Sequence, residues 1–141
     1  MQITIAHLTL LLYNAFMSIG KLTQNGVHLQ SHEWKTVKTF LDLGKDITLQ
    51  PPVQAKNTSS ADMWMDGILW EIKAPEGGGK NTIRHNLERA KKQSRNIIID
   101  LHRCKLNEEQ AIRELEYHFG LSKRFQRMKI IKKSREIIDL T

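Results

Sequence analysis

Apolar and polar positions change period several times along this chain, and each change marks an element. Ile5, Leu8, Leu12, Phe16 and Ile19 fall at helical spacing, which predicts a packed helix over residues 4–19, ended near Gly20. "TQNG" at 23–26 is turn chemistry. Ser31 is placed to cap a second helix, "HEWKTVKTFLDL", with Trp34, Val37 and Leu41 on its buried side and Gly44 just past its end. "DITLQPP" alternates and stops at the proline pair, so it predicts a strand, and "VQAKNTSS" a loop. Beyond Pro75, "EGGGKNT" is a flexible turn in which Asn81 or Thr82 caps the helix "IRHNLERAKKQ", whose Ile83, Leu87 and Ala90 share one face. The unbroken apolar run in "NIIIDL" predicts a strand covered on both faces. "NEEQAIRELEYHFG" has a cap at Asn107, acids in its first turn and a stop at Gly120. "MKIIKKSREIIDL" closes the chain as a hairpin. The order α, α, β, β, β, α, β, α, β, β implies an α/β (α+β) fold, a mixed central sheet flanked by helices.

The segment "ADMWMDGILWEIKAP" at 61–75 carries the chemistry. Asp66-Gly67 is a strong two-residue hairpin signal, because both central residues of a type I′ turn need positive φ. That turn sets Met65 against Ile68, Trp64 against Leu69, Met63 against Trp70, and Asp62 against Glu71. Met63, Met65, Ile68, Trp70 and Ile72 then form an apolar face, and Asp62, Trp64, Leu69, Glu71 and Lys73 the opposite one. Carboxylates facing each other with β-carbons roughly 5 Å apart repel unless something positive lies between them. A hard divalent cation, Mg²⁺ above all, takes such oxygen ligands and keeps several waters, and a lysine nearby can hold or activate one of them. The alternative is an exposed sheet face whose acids Lys73 alone satisfies. Asp66 is explained by the turn.

Composition narrows the partners. The 141 residues suit a single domain, and a formal net charge of +7 favours polyanions, nucleic acid first. Lys80 to Lys105 holds eight basic residues against Glu88 and Asp100, and Lys123 to Arg135 holds seven with no acid between. Such runs are solvated faces or phosphate-backbone contacts. Lys80, Arg84 and His85 open a helix, where phosphate is favoured; His85 is either a general acid or base or a surface histidine. Trp64 either stacks on a base or packs under a helix. The lone Cys104 excludes an internal disulfide and reads as a small, partly buried side chain. The apolar N-terminus has no basic leader region and too short an apolar run to span a bilayer, so no stable membrane insertion is expected.

"AD", eight residues, then "EIK" resembles the PD-(D/E)xK nuclease superfamily, with Ala61 standing where that pattern has proline. The resemblance implies Asp62, Glu71 and Lys73 as catalytic residues and a restriction-endonuclease-like αβββαβ core, matched by residues 31–101 and followed here by a C-terminal helix and β-hairpin. It also implies a further acid on the first core helix. Glu33 is the candidate metal ligand, or else simply an acid favourable to the helix dipole. Gln93 is either a phosphate or metal-shell contact or exposed. More narrowly, residues 43–141, above all "WEIKAP" and "TIRHNLERAKKQSRNIIIDL", resemble C-terminal tRNase toxin domains of contact-dependent growth inhibition proteins of the CdiA type. This implies a metal-dependent ribonuclease acting on tRNA in the cytoplasm of a target bacterium. Such a domain is delivered on a larger secreted or phage-associated protein and neutralised by a cognate immunity protein. The domain division expected is a helical extension at 1–30 and a nuclease domain at 31–141. A DNA endonuclease of the same fold and a non-catalytic nucleic-acid-binding module are the competing readings.

Overall fold

The computed structural model describes residues 2–16, 18–52 and 61–141. Its helices are α1 (Ile5–Phe16), α2 (Ser31–Asp42), α3 (Thr82–Ala90) and α4 (Glu108–Leu121). Its strands are β1 (Leu22–Thr23), β2 (Ile47–Leu49), β3 (Met63–Met65), β4 (Ile68–Lys73), β5 (Asn96–Asp100), β6 (Arg127–Ile131) and β7 (Ile137–Leu140). The strands lie in one sheet in chain order. β1–β2, β4–β5 and β5–β6 are parallel pairs, bridged by α2, α3 and α4 or, for β1, by the segment containing α2; β2–β3, β3–β4 and β6–β7 are antiparallel. The expected mixed sheet, the αβββαβ order and the closing hairpin are all present. The loop expected over 53–60 lies outside the described residues.

Helices cover both faces of the sheet. Against α2 lie Met63, Met65, Trp70, Ile98 and Ile131, packed on Val37, Phe40 and Leu41. Against α3 and α4 lie Ile97, Ile99, Met128 and Ile130, packed on Ile83, Leu87, Ala90, Ala111 and Leu115. The isoleucine run of β5 thus divides between two cores, as its unbroken apolar pattern requires. Cys104 is buried and free.

Four expectations are corrected. The N-terminal helix spans only Ile5–Phe16, and of its predicted packed face the described Ile5, Leu8 and Leu12 are 86%, 50% and 62% exposed. Periodicity defines a face but not whether anything covers it. Trp34 is not buried on α2; it is 42% exposed. The buried stripe is turned toward Thr36, whose hydroxyl donates to Asp100 at 2.7 Å, and Phe40 fills the space instead. The cap of α2 is Gln30 rather than Ser31, its backbone N–H donating to the Glu33 carboxylate at 2.8 Å. Asn107 caps α4 as expected, accepting from Gln110 N–H at 3.1 Å, while Gly120 lies inside the helix. No helix among the described residues is long and apolar enough to cross a membrane.

Candidate active site

The turn at Asp66 (φ 54°) and Gly67 (φ 73°) has both central residues left-handed, the conformation an aspartate-glycine pair adopts at least cost. Met65↔Ile68, Trp64↔Leu69 and Met63↔Trp70 pair in the predicted register. The ladder between β3 and β4 ends there. From Glu71 onward β4 pairs only with β5, Glu71 facing Ile97 and Lys73 facing Ile99. A cleft opens where β3 and β4 part, and Asp62, Glu71 and Lys73 stand at its mouth.

Asp62 is not a plain cross-strand partner of Glu71. Its N–H donates to the Trp70 carbonyl at 2.9 Å, and its carboxylate accepts the Ile72 N–H at 2.7 Å. This bend out of the ladder turns the side chain toward β4, so the two carboxyls still line one cavity, where the Asp62 charge acts on Glu71. Glu71 is only 2% exposed, because α3 and the turn after it cover the face that alternation assigns to the charged residues. Glu71 Oε1 pairs with Lys73 Nζ at 2.9 Å, and Lys73 Nζ donates to Gln93 Oε1 at 2.8 Å. Gln93 therefore reaches the site.

Electrostatics follow from this burial. Desolvation pushes the Glu71 carboxyl up to about 8, the neighbouring Asp62 charge adds to the rise, and Lys73 draws it back. Burial raises Asp62 as well, against the Ile72 N–H that favours its charged form. Glu71 Oε2 is buried and has no hydrogen-bond donor. An orphaned carboxylate oxygen beside a second carboxylate fits one proton or one hard cation, and Mg²⁺ is characteristically held by one or two carboxylates with water completing its shell. Glu33 lines the same cavity, but its carboxylate is engaged at the start of α2. No group of three or more His, Cys, Asp or Glu side chains among the described residues is arranged to hold a metal ion.

The cavity has a volume of about 380 Å³ and is walled by both helix layers: His32 and Glu33 from α2, Asn86 and Arg89 from α3, and Arg103 from beyond β5. Of the residues expected to grip nucleic acid, only Gln93 lines it. His85 lines an adjoining cavity with Gly77 and Thr82, Arg84 a separate one with His118 and Phe125, and Trp64 is half-exposed with its indole N–H on Gln50 Oε1 at 3.0 Å. Lys80 is exposed and lines none of these three. His32, Asn86, Arg89 and Arg103 were missed. Asn86, Arg89 and Gln93 recur at helical spacing, and Arg103 follows the carboxyl end of a parallel strand, where open α/β sheets bind ligands. In the second basic run three of the seven cations are tied to carboxylates. Arg135 forks onto buried Asp100 with both bonds at 2.8 Å and donates to Thr39, Lys129 pairs with Asp139, and Lys132 with Glu136.

A family model described as the contact-dependent growth inhibition CdiA C-terminal domain matches residues 59–137, more than half of the chain and the span that holds Asp62, Glu71, Lys73 and Gln93. No curated protein matches. Among solved structures, a CdiA-CT/CdiI toxin and immunity complex from Burkholderia pseudomallei is similar in fold, with a TM-score of 0.62. The identity is 16%, and the alignment covers 86% of this chain and 98% of that one.

Proposed function

Since the chain belongs to the CdiA C-terminal domain family of contact-dependent growth inhibition, we propose that it is a toxin nuclease hydrolysing phosphodiester bonds in tRNA, with a divalent metal ion held by Asp62 and Glu71. The observation that carries this reading is the buried Glu71 Oε2, without a donor, beside a second carboxylate in a polar cavity. Asp62 and Glu71 would hold the Mg²⁺, which when bound would supply Lewis-acid polarisation of the scissile phosphate and offset its charge. Asp62 is oriented for the task by the Ile72 N–H, and Glu71 by Lys73. Two of the three Lys73 N–H donors are taken by Glu71 and Gln93, which leaves one for the charge developing on the phosphate in this reading. Burial removes competing water and strengthens each of these interactions.

The fold neighbour is a toxin and immunity complex, and a cognate immunity protein is proposed as the partner of this chain too. Action in the cytoplasm of a target bacterium, after delivery on a larger protein, belongs to the same reading. The test is incubation of the purified protein with total RNA and Mg²⁺, followed by mapping of the cut ends. tRNA fragments that vanish with chelator and with Glu71→Gln are expected. Cleavage of duplex DNA in preference to RNA would transfer the same site to a DNA endonuclease. Tight, salt-sensitive binding with no cleavage under any divalent ion would leave only a binding module.

A further inference from the structure

The cavity that holds the carboxylates is not closed on itself. It shares Ala74, Asn86, Arg89 and Arg103 with a second cavity of about 330 Å³, which extends past Thr82 and His85. The two form one continuous cleft. One end presents Asp62 and Glu71. Where the second cavity joins it, Arg89 is exposed and makes no ion pair among the described residues, and Arg103 spends one donor on the Ala74 carbonyl at 2.9 Å. Its other bond, to Glu76 at 3.5 Å, is with a carboxylate 69% exposed and weakly held. Gly77 lines the same cavity close against Thr82: a β-carbon there would lie 2.8 Å from Thr82 Oγ1. Two guanidiniums on a shared wall, with donors to spare, suit a tetrahedral oxyanion.

We propose that this second cavity seats the phosphate next along the nucleic-acid strand from the one cleaved, held jointly by Arg89 and Arg103. The inference rests on the nuclease reading of the adjoining site. A strand lying along the cleft meets the carboxylates with one phosphate and the arginines, on the wall the two cavities share, with its neighbour, so the arginines fix the register that the carboxylates need. The geometry separates these arginines from Lys80 and Arg84, which belong to the same basic run but lie outside the cleft.

Two measurements test the seat. The first uses Glu71→Gln protein, which holds RNA without cutting it, and follows affinity for a short single-stranded RNA against salt. Adding Arg89→Ala should weaken binding about five- to tenfold and flatten the slope of log K on log salt by about 0.7, the value for one phosphate contact. Arg103→Gln, which retains a donor for the Ala74 carbonyl, should do the same. Because one phosphate is shared, the double variant should flatten the slope by no more than about 0.7. The second uses substrates with a single neutral methylphosphonate. Neutralising the phosphate beside the cut should raise KM about tenfold for wild type and for Arg84→Ala, and leave Arg89→Ala indifferent. Unchanged binding and slope in both arginine variants, or a methylphosphonate penalty that persists in Arg89→Ala, overturns the seat. Should those variants behave as wild type while Glu71→Gln abolishes cleavage, the seat falls and the nuclease reading stands. Should wild type cut no nucleic acid while the arginine variants still lose affinity and slope, the nuclease reading falls and the anion seat stands.

Discussion

Glu71→Gln should stabilise the metal-free protein at alkaline pH. The folded chain holds the Glu71 proton up to about pH 8, whereas a free glutamate releases it near 4.5. The stability this proton confers is complete below 4.5 and is lost as pH rises through that window, because only the folded state must then accept a buried charge beside Asp62. Each pH unit in which the folded state alone keeps the proton is worth ~1.4 kcal/mol, so the whole window amounts to roughly 5 kcal/mol. That is a large part of the 5–15 kcal/mol typical of a domain. The amide keeps the shape and never charges. Urea unfolding with chelator present, at pH 5 and pH 8, should therefore show wild type losing several kcal/mol relative to the variant as pH rises. Mg²⁺ at pH 8 should restore wild type and leave the variant unmoved. Parallel pH dependence of the two proteins would refute the account of Glu71.

Three further outcomes follow from the geometry. Lys73→Ala should lower kcat by about 10²–10³-fold with a much smaller change in KM, read from initial rates of tRNA cleavage at saturating Mg²⁺, since its free donor acts on developing charge; a full-rate folded variant would remove Lys73 from the mechanism. Asp66→Asn should cut at the wild-type rate and cost less than about 1 kcal/mol in urea unfolding, because asparagine accepts the left-handed turn and the lost Lys45 pair is exposed. Arg135→Met should cost ~3–5 kcal/mol at pH 7 by leaving Asp100 charged and buried without its partner. Burial alone would raise Asp100, but Arg135, Thr36 and His102 outweigh it and hold it at about 2, below its ordinary 3.8. The stability this adds is present above 3.8 and lost as pH falls toward 2, and that acid limb should be blunted in Arg135→Met.

What the sequence made legible was local. The hairpin register followed from two turn residues and a period of two, the buried face of α3 from Ile83, Leu87 and Ala90, and the double covering of β5 from its unbroken isoleucines. What it hid depended on distant chain. Alternation placed Glu71 on a charged face, and nothing in its neighbours showed that α3 folds over that face. Arg135 was counted with a cationic run because its partner Asp100 lies 35 positions away. A run of basic residues gives their number but not their direction, so Arg89 and Arg103 stood no higher than Lys80 and Arg84. The orphaned oxygen of Glu71 is a fact of packing, invisible until the strands diverge.

A sheet whose strands lie in chain order also constrains how the chain assembles. Each strand docks on the one that precedes it in the chain, so the sheet can grow by accretion, its antiparallel pairs closing through the chain between neighbouring strands and its parallel pairs through crossovers that carry α2, α3 and α4. The longer contacts come back to α2: Ile98 and Ile131 pack on it, Thr36 bonds Asp100, and Arg135 reaches back 96 positions to Thr39 as well as to Asp100. These long closures join the last hairpin to the first core helix, and Arg135 adds a polar latch to the apolar packing that makes a sequentially built sheet one cooperative unit.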